Sequence, residues 1–237
     1  MNIMKMKFHY IILFALVVSF TSCKKDNYNA PGSFLTGKIV YNGEPINVEY
    51  NQVNMQLWQS GFGKLDKIDG TIEQDGSFSN MLFDGNYKLV FAPNQGPFMT
   101  KKVNDVIKDT IYVSMKGSQT LNIEVLPYYM VRNTAFTYAT GVVTGKCKLE
   151  KIITDANAKS VERVSLYINK TNFVSGANNI ALTDLDGASI TDLNNVSLSV
   201  TVPARVPTQN YVFARIGVKI AGVEKLIFSP ITKITLQ

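Results

Sequence analysis

From residue 33 onward the sequence predicts an all-β chain of two β-sandwich domains. Short apolar/polar alternating runs recur at regular spacing, separated by Asn-Gly, Asp-Gly and Lys-Gly turns. No stretch sustains a helical apolar period. A proline, Pro127, follows a long alternating run and reads as a domain boundary.

The first strand is Phe34–Tyr41, closed by Asn42-Gly43, the strongest short-range hairpin signal. Val53, Met55 and Leu57 then alternate with Asn54, Gln56 and Trp58. If the first three face a core, Asn54, Gln56, Trp58 and Ser60 face outward. Residues 64–70 read as a solvated loop. Thr71–Gln74 leads to the Asp75-Gly76 turn and Ser77-Phe78-Ser79, and Asp84-Gly85-Asn86 turns into Tyr87–Phe91. Ile111, Val113 and Met115 alternate up to Lys116-Gly117, and Leu121, Ile123 and Val125 alternate up to Leu126. Beyond Pro127, strands are expected around Val164–Ile168, Val196–Val202, Val212–Ile220 and Leu226–Leu236. This second half reads as an immunoglobulin-like sandwich. Cys147 and Leu149 alternate onto one face, where a lone cysteine behaves as a small buried apolar residue.

Before the strands comes a leader. Lys5 and Lys7 precede an almost wholly apolar run, Phe8–Phe20, which is short for the roughly 20 residues of a membrane-spanning helix. Residues 1–22 therefore read as a secretory signal. Phe20-Thr21-Ser22-Cys23 resembles the bacterial lipobox, with Phe20 where that motif more often has Leu. The resemblance implies that Cys23 becomes a lipidated N-terminus. Residues 24–32, polar and ending in Pro31-Gly32, read as a tether. The domain plan is thus a signal peptide at 1–22, lipidated Cys23 and tether at 23–32, and sandwiches at 33–126 and 127–237.

Composition excludes several chemistries. The formal charge of +6 falls to about +4 without Lys5 and Lys7, and it is spread thinly, so a nucleic-acid face is not expected. The two cysteines, Cys23 and Cys147, leave no disulfide framework once Cys23 is acylated. The one histidine, His9, lies in the leader. Past residue 22 there is no Ser-His-Asp or Cys-His machinery and no zinc site with a histidine ligand. Asp184-Leu185-Asp186-Gly187 lacks the closing ligands of a calcium loop and reads as a turn. No cofactor and no metal are expected. Two carboxylates facing across a cleft could hydrolyse glycosides, but no hydrolase motif accompanies the scattered acids.

Gly37-Lys38-Ile39-Val40, Gly43-Glu44-Pro45-Ile46, Asp75-Gly76-Ser77-Phe78 and Gly85-Asn86-Tyr87-Lys88-Leu89 resemble the skeleton of the carboxypeptidase regulatory-like domain. That resemblance covers about residues 33–126 and implies a transthyretin-like seven-stranded sandwich. With Tyr211–Lys219 and Phe228-Ser229-Pro230 in the second half, the whole chain resembles a family of two-domain Bacteroidetes outer-membrane lipoproteins. Members of that family, whose function is not established, tend to accompany starch-utilisation-type glycan uptake systems. The resemblance implies a lipid-anchored protein of the outer membrane, displayed at the cell surface or facing the periplasm.

Trp58 is the most informative candidate, a large aromatic on a polar strand face. Aromatic rings stack on the apolar faces of sugars and also anchor protein interfaces. Three fates remain open for it: turned inward at a bulge or strand end, stacked on a glycan, or docked on a partner. Phe62, in the glycine-flanked loop Gly61-Phe62-Gly63, shares those fates. Tyr128 and Tyr129 at the junction, and Phe98 in a loop, are each either packed internally or part of a ligand platform. The expected function is that of a non-enzymatic, lipid-anchored accessory protein of a glycan-uptake system that binds oligosaccharide. The alternative is a structural or assembly lipoprotein, acting as a transporter partner, spacer or fimbria-like subunit through sheet edges.

Overall fold

A computed structural model describes residues 30–61, 65–92, 96–101 and 109–236. The leader, Cys23 and Phe62 lie outside the described residues. Gly32–Gln237 form one compact unit.

The first half contributes β1 (Ser33–Tyr41), β2 (Glu44–Pro45), β3 (Asn54–Gln59), β4 (Lys67–Thr71), β5 (Ser77–Leu82), β6 (Gly85–Val90), β7 (Phe98–Thr100), β8 (Thr110–Met115), β9 (Gln119–Thr120) and β10 (Ile123–Pro127). One sheet is centred on β1, which pairs antiparallel with β5 and β2 and parallel with β9 and β10, while β7 extends it beyond β10. The facing sheet runs β4-β3-β6-β8, all antiparallel. The predicted turns close as expected. Asn42 and Gly43 both take positive φ, 50° and 79°, and link β1 to β2 as a two-residue hairpin. Gly37 is required for a different reason: a Cβ there would sit 1.9 Å from the Leu121 carbonyl oxygen. That close approach lets Leu121 N–H donate to Thr36 O at 2.8 Å and splits the predicted long strand 119–126 into β9 and β10.

The second half holds β11 (Tyr129–Ala139), β12 (Val142–Lys151), β13 (Val161–Asn169), β14 (Ala181–Asp186), β15 (Val196–Thr201), β16 (Tyr211–Ile220), β17 (Ile227–Phe228) and β18 (Thr232–Thr235). Sheet β11-β12-β15 faces a sheet built on β13 and β16, with β14 outside β13 and β17 and β18 along β16. The chain is therefore all-β, with two sandwich halves. Among the described residues the helical content is a single 3-10 turn at Gly187–Ser189, capped by Asp186. Val164, Leu166 and Ile168 meet Val212, Ala214, Ile216, Val218 and Ile220 in the core, each fully buried. Cys147 is buried beside Leu149, and burial pushes its thiol up to about 12, so it stays neutral and unreactive.

Further sequence expectations change: Asp184, Leu185 and Asp186, read as part of a turn, lie in strand β14, where β13 pairs with them. Residues 67–70 belong to strand β4, because β3 supplies backbone partners along its whole length. Gly70 has no Cβ to collide with the Asn80 side chain beneath it, and so the strand can pack there. Residues 129–151 form the long hairpin β11–β12, of which alternation showed only part. Its turn is Thr140-Gly141, with φ of 47° and 82°, and a bulge at Asn133 interrupts the β11 period.

The two halves are joined by polar contacts as well as packing. Arg215 on β16 is fully buried and forms no ion pair among the described residues; its Nε donates to Ser229 O at 2.8 Å and its Nη2 to Gln74 O at 2.7 Å. Its guanidinium carbon lies 4.4 Å from the centre of the Phe228 ring. Burial pulls its pKa down to about 9, against the charges of Glu49 and Asp75, so it remains a cation at neutral pH. Phe228 N–H donates to Asn47 O at 2.9 Å, and Arg132 bridges Glu150 of its own half to Glu44 of the first.

Candidate binding face

The sheet β4-β3-β6-β8 buries one face and leaves the other in solvent. Val53, Met55 and Leu57 are fully buried, whereas Asn54, Gln56 and Trp58 are half-buried on the opposite side. Trp58 is therefore turned neither into the core nor fully into solvent. Register then dictates its neighbours, since directly paired residues in an antiparallel sheet share a face. Trp58 pairs with Lys67 on β4 and Lys88 on β6, and Lys88 pairs with Tyr112 on β8. The result is a row, Lys67–Trp58–Lys88–Tyr112, crossing the sheet perpendicular to its strands. Tyr112 is 62% exposed, which makes it an unusually open aromatic. Adjacent strands lie about 4.8 Å apart, so the two aromatic positions stand about 10 Å from one another.

The next rows are polar. Gln56 pairs with Asp69 and with Val90, and Asn54 with Thr71. Asn54, Gln56, Lys67, Asp69, Thr71 and Ala92 line a shallow depression of about 230 Å³. Lys67 Nζ donates to both carboxylate oxygens of Asp69, at 2.9 and 2.8 Å. Asn54 Oδ1 is buried and has no hydrogen-bond partner among the described residues. Lys88 is exposed and likewise has no hydrogen-bond or ion-pair partner among them. The surface thus offers two aromatic side chains, a cation between them, and amide, hydroxyl and carboxylate groups alongside, which suits a ligand with apolar faces and many hydroxyls.

The other aromatic candidates are placed elsewhere. Phe98 is not a loop residue; it is buried in β7 and meets Phe91 edge to face at 5.4 Å. Tyr128 and Tyr129 are buried at the junction and form no platform. Tyr129 Oη donates to Lys159 O at 2.9 Å, and Lys159 Nζ lies 5.6 Å from the Tyr128 ring centre. Burial raises both tyrosine pKa values. Apolar surroundings close over these rings because they sit where the halves meet, a position that local alternation does not reveal. Conversely, the sequence singled out neither Tyr112 nor Lys88 as a site residue. The available signal was alternation: Ile111, Val113 and Met115 inward leaves Tyr112 outward. Its alignment with Trp58 depends on strand order. Among the described residues no cluster of three or more His, Cys, Asp or Glu could hold a metal.

A comparison with curated proteins gives no significant match. A family model described as the protein of unknown function DUF3823, N-terminal domain, matches residues 33–126, and its C-terminal domain model matches residues 129–233. A crystal structure of a DUF3823 family protein from Parabacteroides merdae is similar at 30% identity, covering 87% of this chain and 100% of its own, with a TM-score of 0.75. Another, from Bacteroides ovatus, is similar at 28% identity over 86% of this chain and 100% of its own, also at 0.75. A candidate carbohydrate-binding protein from Bacteroides uniformis, 17% identical, covers 87% of this chain and 100% of its own at a TM-score of 0.67 and shares the fold. With both halves matched in order and a full-length relative at 30% identity, the chain belongs to the DUF3823 family.

Proposed function

We propose that this chain is a non-enzymatic, lipid-anchored outer-membrane protein that binds oligosaccharide on the exposed face of β4-β3-β6-β8, as an accessory to glycan uptake. The observation that carries the reading is the cross-strand row with Trp58 and Tyr112 on one open face, bordered by the polar depression. Aromatic side chains offer rigid, amphipathic contact area, and the amides beside them can order sugar hydroxyls. The leader and Cys23 supply the address, and the carbohydrate-binding name of one similar fold is consistent with the ligand class. The test is retention on a panel of immobilised polysaccharides by the chain from residue 24 onward, which keeps the whole compact unit Gly32–Gln237. Trp58→Ala and Tyr112→Ala are each expected to weaken binding about tenfold or more while thermal unfolding is unchanged. Unaltered affinity in both variants removes this face from the account.

A second reading, assembly with a protein partner, is favoured by a different surface. Phe34 and Met81 pair directly across β1 and β5 and are 44% and 55% exposed. Isolation of the full chain from outer membranes distinguishes the two: a stoichiometric partner retained without sugar, and lost in Phe34→Ser, supports assembly.

A further inference from the structure

Resting on the glycan-binding reading, we infer that the preferred ligand is an acidic polysaccharide whose uronate carboxylate pairs with Lys88 between the two aromatic positions. The argument is geometric. A glycan chain stacked on Trp58 and Tyr112 spans two strand intervals, about 10 Å, and so must cross the β6 position between them. That position is Lys88, exposed and without a hydrogen-bond or ion-pair partner among the described residues. A neutral sugar laid over it would strip water from an ammonium and return only neutral hydroxyl acceptors, which offset that loss in part. A carboxylate in the same place accepts charge-assisted hydrogen bonds, which are stronger and shorter than neutral ones.

The other charges on the face point the same way. Lys67 flanks Trp58 on its far side, so a ring over Trp58 has an ammonium at either edge. Its own carboxylate partner, Asp69, lies one row away and is held by that lysine at 2.8 Å. The Lys67–Asp69 pair is therefore close to neutral, and Lys88 is left as the cation of the row without an ion-pair partner among the described residues, the place where a carboxylate is welcome. The polymer axis would run across the strands, with uncharged hydroxyls directed to Gln56 and Asn54.

The experiment uses the full chain in detergent and four uronate polymers: polygalacturonate, alginate, glucuronoxylan and hyaluronan. Each is paired with its carboxyl-reduced counterpart, and poly(acrylate) serves as a polycarboxylate without sugar rings for stacking. At least one uronate polymer is expected to bind about tenfold tighter than its reduced form, in line with a charged hydrogen bond. Lys88→Gln should abolish that preference, by weakening binding of the native polymer to the level of the reduced one, and Trp58→Ala should weaken both. Equal binding of the native and reduced forms, or a preference that survives Lys88→Gln, overturns the acidic-ligand inference and leaves glycan binding standing. Binding of poly(acrylate) as tight as the best uronate overturns it too, since charge alone would then suffice. If all eight polymers fail while a neutral polysaccharide is retained, the acidic preference falls alone. If nothing in the neutral panel is retained either, both readings fall.

Discussion

Arg215 shows what one residue contributes to a protein of this kind. A fully buried guanidinium without an ion pair among the described residues depends on carbonyl oxygens and an aromatic face for its solvation. Its two short hydrogen bonds go to Ser229 in its own half and Gln74 in the other. Arg215→Ala removes the charge but strands both carbonyls and opens a cavity, so a loss of about 3 kcal/mol is expected. Arg215→Met fills the volume and should recover part of that loss. Urea denaturation of the two variants checks the order, and a Met variant less stable than the Ala variant would contradict it. No local pattern points to this role: an arginine inside a long apolar alternation could equally mark an exposed strand end. Only the arrival of Gln74 from 141 positions away makes the burial tolerable.

At the scale of an element, turns were legible and edges were not. Asn42-Gly43, Asp75-Gly76 and Lys116-Gly117 announced themselves because positive φ restricts the residues that can stand there. Asp75 also shows the turn chemistry directly. Burial pushes its carboxyl up, but hydrogen bonds from Ser77 and Lys38 outweigh this and hold it at about 2. Its ionised form is therefore favoured by folding. That stabilisation is full above the ordinary carboxylate range and fades as pH falls toward about 2. With the side chain 58% exposed, it amounts to less than about 1 kcal/mol. Asp75→Asn should lower stability at neutral pH and flatten the acid limb of a pH–stability curve; an unchanged acid limb would contradict the assignment. Strand β4, by contrast, looked like a loop because its Lys-Ile-Asp-Gly sequence is charged and two-sided. It is a strand because β3 requires a partner, and its lysine and aspartate join the binding face only through that pairing.

For the whole molecule, the all-β fold class could be read from alternation, since each period-two run betrays one buried face. The cross-strand row could not, because strand order β4-β3-β6-β8 brings together residues from positions 58, 67, 88 and 112. Nor could the mutual burial of the halves, in which Phe228, Asn47, Arg215 and Gln74 interlock. This interlock predicts one cooperative unfolding transition rather than two. Scanning calorimetry should give a single peak that splits or broadens in Arg215→Ala; two resolved peaks in the native chain would show the halves to be independent. The parallel pairing of β1 with β10 has a mechanical consequence. The chain enters the unit at the start of β1 and leaves the first half at the end of β10. Tension between residue 32 and the second half therefore pulls these neighbours in opposite directions along their length. Their hydrogen bonds share the load side by side instead of opening one after another like a zip.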